Sequence, residues 1–231
     1  MKKTVITLVA ICLTAFYTHG QSNCSKFYPF SEGAMSQLTM YNAKGKMQGM
    51  VEYYINNVTS TGDATVANMS MKLIDKKGNE IQGSEYEATC KDGVVSIDFK
   101  SLMNQGMMAA YGEEMDYDIT GTNLDIPNDL SVGQSLPDAE IIIKMSMSGM
   151  NFNMSTIITD RKVLDKESIT VPAGTFDCYV ITQTTRIKSM AANQSRTSKQ
   201  WIAEGVGFVK SEDYNKKGKI ANTSLLTAVS K

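Results

Sequence analysis

Histidine is almost missing from this chain of 231 residues, in which the only one is His19. Ser-His-Asp and Cys-His nucleophilic systems both need an imidazole. Zinc sites built on histidine are excluded with them, because the cysteines show no CxxC spacing. No segment reads GxxxxGK[ST] or GxGxxG, the patterns that bind nucleotide phosphates. These absences predict a protein that is not an enzyme and that holds no cofactor and no metal.

An excess of positive charge is also lacking, since 23 Lys and Arg stand against 24 Asp and Glu, for a net charge of −1. Nucleic-acid binding needs a basic surface that releases counterions, so we expect no nucleic-acid partner. A membrane-spanning helix needs about 20 apolar residues. The apolar run at residues 4–17 has only 14. We therefore expect no transmembrane segment in the mature chain.

The first 20 residues have the layout of a secretory signal peptide. Met1-Lys2-Lys3 is the basic start, the apolar run follows, and a small residue, Gly20, ends it. We expect cleavage after Gly20, which leaves residues 21–231 as one β-rich domain. Because two lysines and His19 leave with the peptide, the mature chain has no histidine and its net charge falls from −1 to −3. The predicted location is outside the cytoplasm, either periplasmic or secreted.

Hairpins dominate the rest of the sequence. Three turns share one pattern, in which Asn or Asp opens the turn by bonding its own backbone and Gly takes the positive-φ position: Asn42–Gly45, Asp75–Gly78 and Asn215–Gly218. Asp92-Gly93 is a two-residue version. Alternation of β-branched and aromatic residues predicts strands at 51–55, 65–74, 94–99, 141–147 and 179–187. The pattern predicts a mainly β domain built on an antiparallel sheet.

Two stretches depart from this alternation. Residues 100–111 are rich in helix formers and predict one short helix, which Gly106 weakens. Residues 125–138 hold two prolines and are predicted to form a surface crossover between strands.

Three cysteines stay with the mature chain: Cys24, Cys90 and Cys178. Outside the cytoplasm a disulfide is allowed, and one bridge plus one free thiol is the simplest arrangement. The position of Cys90 and Cys178 in strand-like runs favours their pairing. The other two pairings stay open, as does a set of three reduced, buried cysteines.

Methionine is in excess, with 16 residues. Met69 and Met71 share one face of a predicted strand, and Met145 and Met147 share one face of another. Three interpretations compete: flexible core packing, the lining of an adaptable apolar ligand cavity, and Cu(I) binding by thioethers. Alternation along a strand explains the spacing without a metal.

Two phrases in the second half of the chain resemble a known family. They are Val171-Pro172-Ala173-Gly174-Thr175-Phe176 and, further on, Trp201-Ile202-Ala203-Glu204-Gly205-Val206-Gly207-Phe208-Val209-Lys210. Together with Cys24-Ser25-Lys26-Phe27-Tyr28-Pro29, they resemble the TapB-like, uncharacterised exported proteins of Bacteroidetes-type bacteria. The resemblance implies a single, strongly curved antiparallel sheet, an open half-barrel similar to lipoprotein carriers of the LolA/LolB type. In those carriers the concave face shelters acyl chains. No catalytic residue comes with the resemblance.

Two functions follow as hypotheses. The first is non-catalytic binding of a lipid or other apolar ligand in the half-barrel, with Met69, Met71, Met145 and Met147 as candidate lining. The second is a cell-envelope scaffold that binds a partner protein through sheet edges or loops. A cavity of several hundred Å³ would favour the first.

Overall fold

The computed structural model describes residues 24–98, 116–147, 150–189 and 193–230. The predicted signal peptide and the predicted helix at residues 100–111 lie outside these ranges. The described residues form one antiparallel sheet of 13 strands and contain no helix, so the domain is mainly β. The strands are β1 (Met35–Asn42), β2 (Met47–Thr61), β3 (Ala64–Asp75), β4 (Glu80–Lys91), β5 (Val94–Ile97), β6 (Asp116–Gly121), β7 (Leu124–Pro127), β8 (Ala139–Met147), β9 (Met150–Val171), β10 (Gly174–Lys188), β11 (Asn193–Ala203), β12 (Gly207–Tyr214) and β13 (Ile220–Ser230).

The order across the sheet is β6-β8-β9-β10-β11-β12-β13-β1-β2-β3-β4-β5-β7. Successive strands of the chain are mostly neighbours in the sheet, which is typical of hairpin connections. Three pairs do not follow the chain: β6 with β8 and β5 with β7 near the edges, and β13 with β1 at the centre, where the two halves are joined. The first and last strands of the chain therefore lie in the middle of the sheet, and strands from mid-sequence form its edges.

The three predicted Asx turns are confirmed. In each, the side-chain Oδ1 of the opening residue accepts hydrogen bonds from backbone N–H groups two and four residues later. For Asp75 these distances are 2.7 Å and 2.9 Å, and Asn42 and Asn215 make the same pair. Asp92 and Gly93 both have positive φ, of 50° and 75°, which is the type I′ geometry that matches strand twist.

The two edges of the sheet come together in space. Strands β6 and β7 are at opposite ends of the strand order, yet only Thr122 and Asn123 separate them along the chain. The three Cα–Cα steps from Gly121 to Leu124 reach at most about 11 Å, so the sheet has to curl until its edges approach each other. Packing shows the same curvature, because Ile126 of β7 lies in one buried cluster with Val163 of β9 and Ile181 of β10. The expected curved half-barrel is confirmed.

The prediction of a surface crossover at residues 125–138 is wrong in part. Its first residues belong to β7, which pairs with β5. Two leucines further on, Leu130 and Leu136, are each only 6% exposed and pack in the same cluster as Ile126. Their burial removes apolar surface from water and outweighs the turn tendency of the two prolines.

The favoured pairing of Cys90 with Cys178 is wrong. Cys90 is bonded to Cys24, with a Cα–Cα distance of 5.8 Å. The third cysteine, Cys178, is free and buried, and burial raises the pKa of its thiol to about 11. Cys90 and Cys178 are in different buried clusters, because six strands lie between β4 and β10 in the order of the sheet.

We expect loss of the Cys24–Cys90 bridge to destabilise the fold. The bridge closes a long stretch of chain, since the two cysteines are 66 residues apart, and such a link restricts the unfolded ensemble. Replacing both by serine should lower the free energy of unfolding by about 2–4 kcal/mol, measured by urea denaturation. A reductant should destabilise the native chain by a similar amount and leave the double variant unchanged. Equal stability of the native chain with and without reductant would contradict this role.

Candidate functional site

An apolar cavity of about 330 Å³ lies inside the curve of the sheet. Its walls come from the N-terminal segment 24–34, from strands β1 to β5, β7, β12 and β13, and from the turn before β12. Most lining side chains are aliphatic or methionine, so the cavity presents little to hydrogen-bond with. Representative members are Leu38, Ile55, Met69, Met71, Ile97 and Leu124.

The four candidate methionines separate into two groups. Met69 and Met71 on β3 both line the cavity, and Met69 is also part of the buried core. Met145 on β8 is half-buried and is not a lining residue. The backbone of Met147 ends β8, and its side chain is outside the described part of the chain. The structure therefore brings together one of the two predicted methionine pairs.

Three tyrosines, Tyr28, Tyr53 and Tyr86, supply most of the polar groups at the cavity. Burial raises the pKa of all three above the ordinary tyrosine value, and the pKa of Tyr86 is raised further by its neighbours Tyr53 and Tyr28. Their hydroxyls are therefore neutral at physiological pH. They act as hydrogen-bond donors and acceptors, not as bases.

The N-terminal segment holds Tyr28 at the cavity by long-range contacts. Asn128, just after β7, accepts a hydrogen bond from Lys26 N at 2.8 Å and donates one to Cys24 O. Lys26 O accepts a hydrogen bond from Gly205 N, also at 2.8 Å. The Cys24–Cys90 bridge fixes the same segment to β4. The three hydrogen bonds cross more than a hundred residues of sequence and the disulfide crosses 66, so local patterns did not predict that Tyr28 is a site residue. The one signal was its place in the Cys24–Pro29 phrase.

The two phrases in the second half of the chain are turn and packing motifs. Ala173, in the β9–β10 turn, donates its N–H to Leu226 O at 3.2 Å and so fastens that hairpin to β13. In the second phrase Trp201 donates from Nε1 to a carboxylate oxygen of Glu167 at 2.6 Å, and Lys210 lies over its ring. This anchoring fixes the turn that touches Lys26 and Tyr28.

Gly207 gives the closest approach between the second phrase and Tyr28. Its φ is 85°, and a Cβ built on it would lie 3.1 Å from the Tyr28 ring. The ring of Tyr28 also makes an edge contact with Phe208, with 6.0 Å between centroids. Glycine is required here both for the backbone conformation and for the space that the tyrosine occupies.

A buried arginine lies behind the Tyr28 end of the cavity. Arg161 on β9 is only 3% exposed, and its Nη1 donates to the backbone oxygens of Asp125, at 3.0 Å, and Pro137, at 2.6 Å. It ties β9 to the β7 edge and to the segment that precedes β8. Burial lowers the pKa of the Arg161 guanidinium. The nearby Asp125, Tyr28 and Asp138 raise this pKa and so partly offset the effect of burial. Sequence analysis did not single out this arginine, because its burial depends on sheet curvature.

Two further features are absent from the described residues. No helix in this part of the chain is long and apolar enough to cross a membrane. Within the same residues, no three His, Cys, Asp or Glu side chains come together in a way that could hold a metal ion.

Fold and cavity together define a half-barrel protein with an internal apolar hollow. The chain belongs to the DUF3108-like family, whose model matches residues 31–226. No curated protein matches it. The TapB-like name and the similarity to LolA/LolB-type carriers stay predictions.

Two solved structures are similar to this chain. One is a Bacteroides fragilis protein described as exported and as having a YmcC-like fold, with a TM-score of 0.72, 20% identity, and coverage of 90% of this chain and 100% of that chain. The other, described as a lipoprotein, is from Parabacteroides distasonis, with a TM-score of 0.69, 23% identity, and coverage of 89% of this chain and 99% of that chain. At these identities the likeness shows the fold alone.

Contact between Gly207 and Tyr28 can be tested with a matched pair of variants. Gly207→Ala and Gly218→Ala both place a side chain at positive φ, of 85° and 71°, but only Gly207 has a neighbour within 4 Å. Gly218→Ala should cost about 1 kcal/mol of backbone strain. Gly207→Ala should cost clearly more, because the Tyr28 ring has to move. Urea denaturation measures both, and equal losses would show that the Tyr28 contact contributes nothing.

Alkaline pH should unfold the protein through its buried tyrosines. Because burial raises the folded-state pKa values of Tyr28, Tyr53 and Tyr86, their contribution to stability is complete below the ordinary pKa and falls as pH rises above about 10. The melting temperature should drop in that range, and part of the tyrosinate absorbance should appear only with unfolding. A Tyr53→Phe/Tyr86→Phe variant should show a shallower fall. Full ionisation of all tyrosines in a chain that stays folded would contradict this.

Proposed function

We propose that this chain is an exported cell-envelope protein that binds a lipid or another apolar ligand without catalysis. The observation that carries the proposal is the cavity of about 330 Å³ inside the sheet. Its volume lies in the range of known small-molecule sites, about 300–1,000 Å³. A well-packed protein interior has few voids larger than a water molecule, so a hollow of this size has to be maintained by its walls.

The walls are suited to a chain of apolar groups. Met69 and Met71 are flexible, polarisable side chains that adapt to varied ligand shapes. Aliphatic residues such as Ile97 and Leu124 complete the surface and offer dispersion contacts without directionality. The curved sheet around this hollow supports the proposed similarity to LolA/LolB-type carriers, which hold acyl chains in the same way.

Export is proposed from three supporting observations. Residues 1–20 have the layout of a signal peptide. The Cys24–Cys90 disulfide suits an oxidising compartment outside the cytoplasm. The two similar structures are described as an exported protein and a lipoprotein.

The alternative function, a scaffold that binds a partner strand at a sheet edge, has less support. The edges β6 and β7 approach each other, so neither stands clear of the domain. The Asp125 carbonyl on β7 already accepts a hydrogen bond from Arg161. Edge pairing needs free backbone groups on an accessible strand.

Filling the cavity should abolish ligand binding. In Met71→Trp the larger ring would occupy the hollow, whereas Met145→Trp places the same ring on β8, away from the lining. Binding of the fluorescent apolar probe N-phenylnaphthylamine should be lost in the first variant and kept in the second. Native mass spectrometry of protein from its own host should show copurified lipid in the native chain and none in Met71→Trp. A native chain that binds no probe and carries no lipid would refute the proposal.

A further inference from the structure

The Tyr28 hydroxyl is buried and has no hydrogen-bond partner among the described residues, although its side chain lines the cavity. An unsatisfied buried hydroxyl costs about 1–3 kcal/mol. The segment that carries it is held by a disulfide, by Asn128 and by Gly205, so this position is strongly enforced. A polar group maintained at such a cost beside an apolar cavity is suited to meet a polar atom of the ligand.

Behind this hydroxyl Arg161 adds a buried positive charge that has no adjacent carboxylate among the residues described. Its Nε is buried and lacks a partner, and no carboxylate oxygen in the described part of the chain lies within 4.0 Å of its nitrogens. The carboxylates of Asp125 and Asp138 act on it only from further away. The charge also acts on the Tyr28 hydroxyl. A buried cation without an adjacent anion is costly, and an anion nearby offsets that cost.

The rest of the cavity is apolar and small. At roughly 30 Å³ for each water-sized group, a cavity of about 330 Å³ holds on the order of ten methylene-sized groups. That volume fits one short or medium acyl chain. Two such chains side by side would need about twice that volume.

We propose that the ligand is a single-chain amphiphile with an anionic oxygen head group, that its chain lies against Met69 and Met71, and that its head accepts a hydrogen bond from Tyr28. The inference rests on the binding function proposed above and deepens it. Arg161 is a positioning residue here, since its charge favours the anionic head from behind the tyrosine.

Three compounds with the same chain length test the head group: dodecanoate, methyl dodecanoate and dodecanol. Each compound is added to the full chain with N-phenylnaphthylamine bound, and its affinity is measured from the displacement of that fluorescent probe. Native protein should bind dodecanoate at least about tenfold more tightly than the methyl ester, because hydrogen bonds to charged groups are the stronger ones. Tyr28→Phe should weaken dodecanoate binding about tenfold or more and change binding of the ester less than twofold.

Tyr54→Phe is the matched control. Tyr54 is next to Tyr53 on β2, but its hydroxyl donates to Glu52 at 2.7 Å and does not line the cavity. This variant should bind all three compounds as the native chain does. Thermal melting checks that both variants fold.

The outcomes separate this inference from the proposed function. If native protein binds acid, ester and alcohol equally, or if Tyr28→Phe weakens all three alike, the anionic-head inference is wrong while ligand binding stands. If a two-chain anionic lipid, didodecanoyl phosphatidate, displaces the probe as well as dodecanoate does, the single-chain inference is wrong. If none of these compounds binds, the proposed function fails as well.

Discussion

The attachment of the N-terminal segment to the far side of the sheet is the constraint on which the cavity depends. Cys24 is bonded to Cys90, and Asn128 holds the backbone on both sides of Ser25. With the segment fixed in this way, Phe27 fills a core cluster and Tyr28 forms part of the cavity wall. A short stretch without regular structure therefore determines which part of the concave face is packed and which part stays hollow.

The curvature of the sheet has its own local devices. Register shifts near Val180 and Thr182 accommodate the long β9–β10 pair, and Asp160 on β9 has a φ of 55° just before Arg161. Bulges of this kind bend a strand and redirect the next side chain. Here the next side chain is Arg161, whose guanidinium donates hydrogen bonds to the backbone oxygens of Asp125 and Pro137. Backbone irregularity thus accompanies the curvature of the sheet, and one buried cation joins β9 to the β7 edge.

Local sequence signals predicted local structure well. The Asx turns at Asn42, Asp75 and Asn215 depend on neighbouring residues only, and alternation located β2, β3, β5, β8 and β10. It did not single out β9, the longest strand of the described residues. Contacts between distant segments were not predictable. The partner of Cys90, the burial of Leu136 and the position of Tyr28 all depend on curvature, which no short pattern encodes. Met69 and Met71 could be singled out from the sequence, because alternation places them on one face of β3 and that face lines the cavity.

The pairing of the first strand with the last has a consequence for how the chain reaches its native state. Met35 is opposite Ser230, so the sheet's central seam joins residues almost the whole sequence apart. Contacts of such high contact order form late and slowly, because closing a long loop precedes any gain from it. The two half-sheets cannot be joined until the final residues are available.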